Sequence, residues 1–360
     1  MLRLVKHFLL AAALAVTNAA TAAGDMMDPA LHSKAKRLAD GGLHYLRGTQ
    51  AEDGSWSKSV GVTALALRAF LESHRGYNEG DGAFITRPVQ FLLDHVNPDG
   101  SISETNNNRN YNTAVSMVAL KATGNPAYDE IIQNSQRFLQ GLQIDEQDGY
   151  ERDHKYYGGV GYGGDERPDL SNAYHALEAL KATNLDSADP TWGKALLFVS
   201  RSQNNSETND LEFAANDGGF AYMPEYSPHG GAVSYGGMTH AGLLSLLYAG
   251  VDKNDPRLKA AYQWIRANYT VDVNPGAKEN QGYFYYLNAF AKAMYAWGEP
   301  EVVDTAGVSH NWRNDLAGKL LSLQQEDGSW VNQESGRWWE GDPNLCTAWS
   351  VTALNKVVRK

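Results

Sequence analysis

One cysteine, Cys346, is all that 360 residues contain. No intrachain disulfide can form, so stability must come from packing. Cations are also scarce: 31 Lys and Arg stand against 42 Asp and Glu, a formal net charge of −11. Phosphate binding needs clustered Lys and Arg, which makes nucleic acid a poor candidate partner. No basic amphipathic stretch suits an anionic membrane surface. No Pro- or Ser-rich linker divides the chain, and no cofactor is expected. Long apolar runs are missing except for "FLLAAALAV" (8–16). Arg3 and Lys6 precede that run, and the small residues "NAATAAGD" (18–25) follow it. This is the pattern of a secretory leader cut near Ala22 or Ala23, too short to hold the chain across a bilayer. The expectation is a leader over 1–23 and a single domain over 24–360. The protein is then periplasmic or secreted, with no integral membrane span after cleavage. The sequence does not set the oligomeric state.

What the chain has in quantity is repetition. "QAEDGSW" (50–56) returns as "QQEDGSW" (324–330). Asp-Gly pairs recur at 53–54, 99–100, 148–149, 217–218 and 327–328, with Gln-Gly at 281–282. "NTAVSMVALKATGNP" (112–126) and "NAYHALEALKATNLD" (172–186) share "ALKAT". Asn125-Pro126, Asp189-Pro190 and Asp255-Pro256 read as helix starts, with the polar residue as cap and Pro at the first turn. Each unit therefore reads as helix, Asp-Gly turn, loop, second helix. The first helices are predicted over 33–48, 86–95, 127–141, 191–203, 256–269 and 311–324. The second helices are predicted over 59–73, 111–123, 170–183, 236–249, 282–297 and 343–357. The second set is the more apolar and Ala-rich, which suits an inner ring inside an outer one. Open solenoids carry atypical end units. Here both ends carry the same phrase, which favours closure. The Gln amide can bond a neighbouring unit's backbone, and the Trp can cover the joint.

At these residues the chain resembles the squalene-hopene cyclase and prenyltransferase repeat family. "QAEDGSW" and "QQEDGSW" are similar to the QW motif of the cyclases, and "NDGGFAY" (216–222) to the repeat of protein prenyltransferase β subunits. The resemblance implies an all-α fold, an α/α toroid of six inner and six outer helices. It also implies a central cavity at the N-terminal ends of the inner helices. Cyclases of the family protonate an alkene from a D-x-D-D motif. Here that stretch is "DLSN" (169–172), where Asp169 matches and Ser171 and Asn172 replace two acids. The zinc pattern of the prenyltransferases is incomplete, since Asp342 stands four residues before Cys346.

The inner-helix starts are where a ligand is expected, because free N–H groups there favour anionic atoms. Aromatic and Gly-rich loops lead into them: "YYGGVGYGGDERPD" (156–169), "FAYMPEYSPHGGAVSYGGMTH" (220–240), "QGYFYYLNAF" (281–290) and "GRWWEGD" (336–342). Loops this long and aromatic are uncommon unless functional. The candidate substrate-binding residues are Tyr162, Asn172, His175, Tyr235, His240, Tyr283, Tyr286, Trp338, Trp339 and Glu340. The candidate acids are Asp169, Asp165 and Asp342, with Asp169 first and its pKa expected to be raised by a poorly solvated setting. Each Asp equally suits a plain helix cap. The aromatics equally suit packing of the torus interior, and a lone His on an apolar helix suits the core. His229 sits in a Gly-rich loop that can reach the cavity mouth. His175, His240 and Cys346 offer donors zinc accepts, but no local spacing supports a metal site.

Three functions follow as expectations. The first is binding or proton-driven cyclisation of an isoprenoid or lipid-like substrate. The second is carbohydrate binding or hydrolysis, with Asp169 paired to Glu340 or Asp342. The third is a non-catalytic scaffold with a shallow, solvent-filled centre. The partner is in either of the first two cases a small molecule, lipid-like or glycan.

Overall fold

The computed structural model describes residues 27–104, 108–163 and 167–359. The leader expected over 1–23 and the candidate acid Asp165 lie outside the described residues. Among the described residues, twelve α-helices make six pairs. The first members are α1 (Pro29–Thr49), α3 (Ala83–Asp94), α5 (Asp129–Gln140), α7 (Pro190–Arg201), α9 (Pro256–Ala267) and α11 (Trp312–Leu323). The second members are α2 (Val60–Leu71), α4 (Arg109–Ala122), α6 (Leu170–Ala182), α8 (Gly236–Tyr248), α10 (Tyr283–Trp297) and α12 (Pro343–Val358). These bounds fall within about one turn of those the sequence predicts. The second helices pack in sequence order, and α12 returns to α2, so they form a closed inner ring. The fold is an all-α toroid. A short hairpin, β1 (Glu301–Val303) and β2 (Ser309–Asn311), is inserted before α11 and has no counterpart in the predicted elements.

Composition sorts the two rings. Inner helices are buried almost throughout: all but one residue of α2 and every residue of α4 from Asn112 to Leu120 lie in the interior. Outer helices bury one stripe, as in α9, where Leu258, Ala261, Trp264 and Ile265 recur at helical spacing. Asp189 and Asp255 cap their helices as expected, each accepting the N–H two residues on at 2.9 Å.

The repeated phrase is the joint between units. Gln50 Nε2 donates to Phe84 O of the next outer helix and to Gly54 O of its own turn. Gln143 and Gln203 repeat this bridge to Thr191 O and Arg257 O. Gln324 closes the ring, donating to Leu38 O of the first helix at 3.1 Å. Trp56 and Trp330 each donate their indole N–H to a carbonyl ten residues back, Leu46 O and Leu320 O. The turn glycine meets the next unit's backbone. A β-carbon on Gly54 would lie 2.5 Å from the Arg87 carbonyl carbon, and one on Gly328 2.6 Å from Gly41 O. In the third unit that glycine is Gly158, not the Gly149 of the Asp-Gly series. Gly149 faces open space, while a β-carbon on Gly158 would lie 1.9 Å from Lys194 O.

Candidate functional site

A cavity of about 400 Å³ opens at the N-terminal ends of the inner helices, a size suited to a small molecule. Eight aromatic side chains line it: Tyr111, Tyr162, Tyr222, Tyr235, Tyr285, Trp338, Trp339 and Trp349. Val62, Met238 and Leu345 add apolar surface, and Asn108, Asn112, Asn172, Asn274, Gln281, Glu104, Ser59, Ser171 and His229 add polar groups. Of the candidate ligand residues, Tyr162, Asn172, Tyr235, Trp338 and Trp339 are in this lining.

Most of the polar lining is already engaged by the protein. Asn172 Nδ2 donates to Asp169 Oδ2 at 2.7 Å, and its Oδ1 accepts from Asn110. Asn274 accepts from Gly237 N and donates to Gln281 O. Asn112 donates to Glu104, and Gln281 accepts from Arg337. Ser171 and Tyr285 share a hydrogen bond of 3.2 Å. What remains facing the cavity is chiefly aromatic.

The inner-helix N-termini, expected to offer free N–H groups, are satisfied by neighbouring units. Glu104 accepts from Val60 N of α2, and Tyr162 O from Asn110 N of α4. Tyr222 O accepts from Leu170 N of α6, and Pro275 O from Gly236 N of α8. Glu340 accepts from Tyr283 N and Tyr285 N of α10, both at 2.8 Å. Asp342 caps α12 through Asn344 N and also accepts from Ser57 of the first unit. Units two to six thus each cap the inner helix before them, and α12 is capped by its own Asp342.

Several candidates are placed away from the lining by these duties. Glu340 is fully buried beneath α10, where Asn332 also donates to it. Burial pushes its pKa up to about 7 against those hydrogen bonds. Tyr283 and Tyr286 turn their phenols outward, to Val271 O and Thr270 O. Their neighbour Tyr285, set round the helix from both, is the one that reaches the cavity. His240 donates Nδ1–H to Gly236 O and packs against Tyr286 and Phe290. Burial lowers its pKa to about 4. His175 lies behind the floor, with ring centroids 4.7 Å from Tyr111 and 6.2 Å from Tyr285. Burial holds it neutral, with a pKa lowered to about 3. Cys346 is buried with its thiol toward Glu340 O. Among the described residues no group of His, Cys, Asp and Glu can hold a metal ion.

Asp169 sits directly behind the lining, 2 % exposed. It caps α6 through Asn172 N at 2.8 Å and accepts from Asn172 Nδ2 at 2.7 Å, with the Tyr222 phenol of the lining nearby. Burial outweighs those hydrogen bonds and raises its pKa to about 6. Tyr222 in turn reaches the Tyr162 hydroxyl at 3.4 Å. A carboxyl group whose pKa is raised toward neutrality thus lies beside a phenol of the cavity lining.

The lower half of the lumen is closed by ions. Arg68 of α2 donates to Glu178 of α6 at 2.9 Å, and Lys292 of α10 reaches the same carboxylate at 2.9 Å. Arg68 and Lys356 of α12 also hold Glu72. Helices α2, α6 and α10 are not ring neighbours, so the network crosses the centre. Burial opposes the charge on Glu178, but Arg68 and Lys292 prevail and hold its pKa well below the usual carboxylate range. Burial lowers Lys292 to about 8. The centre is therefore filled beneath the cavity, not the solvent-filled bore a plain scaffold predicts. Glu104, Tyr111, Asn274 and Trp349 also line the cavity without standing among the candidates, and Tyr222 comes from the aromatic loop over 220–240.

No protein-family profile matches the sequence, and no curated protein matches it. Solved structures share the fold. The type II terpene cyclase MstE from Scytonema superposes with a TM-score of 0.58 at 12 % identity, over 91 % of this chain and 98 % of that one. A cellobiose 2-epimerase from Spirochaeta thermophila gives 0.57 at 14 %, over 92 % and 99 %. An α-1,6-mannanase of Salegentibacter gives 0.56 at 11 %, over 90 % and 98 %. At such identities the likeness is one of architecture, shared by proteins of different chemistry. The chain is similar to all three in being an α/α toroid.

Proposed function

We propose that the cavity binds an isoprenoid or lipid-like molecule and that Asp169 supplies a proton to it through Tyr222. The observation that carries the reading is the state of the lining: eight aromatic faces, with Asn172, Asn274, Asn112 and Gln281 already engaged elsewhere. A sugar brings a hydroxyl on nearly every carbon, and each needs a partner when desolvated. An apolar chain needs only surface, and aromatic faces also stabilise a developing cation. One of the similar structures is a terpene cyclase in complex with geranylgeranyl dihydroxybenzoate.

The proton path balances. Tyr222 gives its hydroxyl proton to the ligand while its oxygen takes the proton of the Asp169 carboxyl. Asp169 is left ionised, held by Asn172 N and Nδ2. Expulsion of water by the bound chain raises the carboxyl's pKa further and favours its protonated form. The carbohydrate reading needs a second carboxylate facing Asp169; Glu340 and Asp342 lie outside the lining, and Glu104, which lines the cavity, is held by Val60 N and Asn112 Nδ2. Calorimetric titration with farnesol and with cellobiose tests the binding. The expected result is saturable binding of the C15 alcohol and none of the disaccharide; the reverse would move the protein to the carbohydrate class. Once a turnover assay exists, Asp169→Asn is expected to abolish activity, and an active variant removes the acid assignment.

A further inference from the structure

The charge at the cavity mouth is unlike that of the chain as a whole. His229 belongs to the lining and packs edge-on against Tyr235, with ring centroids 4.5 Å apart. Its Nδ1 accepts the backbone N–H of Lys278 at 3.3 Å. A nitrogen that accepts carries no proton, so the neutral ring keeps its hydrogen on Nε2 and has one donor to offer. Burial lowers the His229 pKa to about 4, and the charges of Arg337 and Lys278 act in the same direction. The ring is neutral at pH 7, a donor and not a base.

Arg337 stands at the same rim. Its guanidinium lies 4.6 Å from the centre of the Trp338 ring and donates to Gln281 Oε1 at 3.1 Å. Lys278 is exposed on the turn that holds His229. Neither cation has a carboxylate partner among the described residues. Two cations without a carboxylate partner and an N–H donor stand beside one cavity in a chain of net charge −11, while Glu104 elsewhere in the lining is held by Val60 N and Asn112. The inner-helix N-termini are already capped, so this corner is where an anion finds unanswered charge.

We propose that this corner receives an anionic oxygen head group, a carboxylate or a phosphate, on a ligand whose hydrocarbon tail lies in the aromatic cavity. The inference rests on the reading of the cavity as a site for an apolar chain, and it narrows that reading to an acidic amphiphile. Arg337 pairs with two oxygens of the head group, and His229 Nε2–H donates to it where the tail turns inward.

Three probes of one chain length test it: dodecanoate, dodecyl phosphate and dodecanol. Each is titrated below its critical micelle concentration at pH 8, into wild type, a double variant Arg337→Gln/Lys278→Gln, and His229→Phe. Both cations are exposed, so the double variant keeps the fold. The expected result is that at least one anion binds wild type tenfold or more tighter than dodecanol. The double variant brings the two within about twofold while dodecanol affinity is unchanged. His229→Phe is expected to weaken anion binding about threefold to tenfold more than alcohol binding. Preference for one anion alone, lost in the double variant, supports the proposal and names the head group. Equal binding of alcohol and anions to wild type, or a preference the double variant retains, overturns it while leaving the cavity as a lipid site. Binding of none of the three overturns both.

Discussion

Asp169 is a single carboxyl whose surroundings decide its role. Folded, it titrates at about 6, and unfolded near 3.9. The folded state therefore binds the proton more tightly, so rising pH works against folding between about 4 and 6. Wild type should lose stability relative to Asp169→Asn across that window, by about 3 kcal/mol in total. Urea unfolding of both proteins at pH 4, 5, 6 and 7 measures this, and a difference that stays constant with pH contradicts the assignment. Glu178 makes the opposite case, a buried carboxylate held charged by two cations. Glu178→Gln leaves Lys292 without a carboxylate partner and Arg68 with Glu72 alone, so a loss of about 3–5 kcal/mol in unfolding free energy is expected. Asp169 was legible as the cap of α6, because Asp ahead of an apolar helix is a local start signal. The ion network was not. Arg68, Glu178 and Lys292 are 110 and 114 residues apart, and only the closed ring brings them together.

Helices were legible almost to their ends, because Asn-Pro, Asp-Pro and Asp-Gly signals act locally on the backbone. Which face of a helix meets the cavity was harder. In α10 four aromatics run consecutively, and composition does not say that Tyr285 faces the lumen while Tyr283 and Tyr286 bond outer carbonyls. The loops carried a similar ambiguity. Tyr157-Gly158 replaces the expected Asp-Gly at the third joint, because what the joint requires is a glycine against Lys194 O, not the Asp before it. The joint is testable at the closing seam. Gln324→Ala removes the donations to Leu38 O and Gly328 O. A loss of about 1–2 kcal/mol is expected, with faster hydrogen exchange in α1 and α11. Unchanged exchange there would mean that packing alone holds the seam. Trp338 and Trp339 define another element. Both have positive φ, 61° and 67°, which is strained for residues of this bulk. Both also stand on the cavity rim. Trp339→Ala should weaken ligand binding by tenfold or more with little change in unfolding midpoint, because the ring is 66 % exposed in the free protein and has no core to support.

At the scale of the molecule, the ring makes two unlike ends from one repeat. Where inner helices begin, loops from successive units interlock and leave an aromatic cavity. Where they end, long charged side chains reach across and seal the lumen. Repetition in the sequence foretold the ring, since the matching phrases at 50–56 and 324–330 are one joint used at two places. It did not foretell that loops of units two to six each cap the inner helix of the unit before, which depends on how neighbouring units pack.

The most direct test is to purify the protein from its own organism, denature it, and identify by mass spectrometry what it releases. An isoprenoid or other long-chain molecule in about equal amount to the protein is the predicted result. A stoichiometric glycan, or protein that releases nothing and takes up no C15 chain on titration, would contradict the reading of the cavity as a site for an apolar ligand.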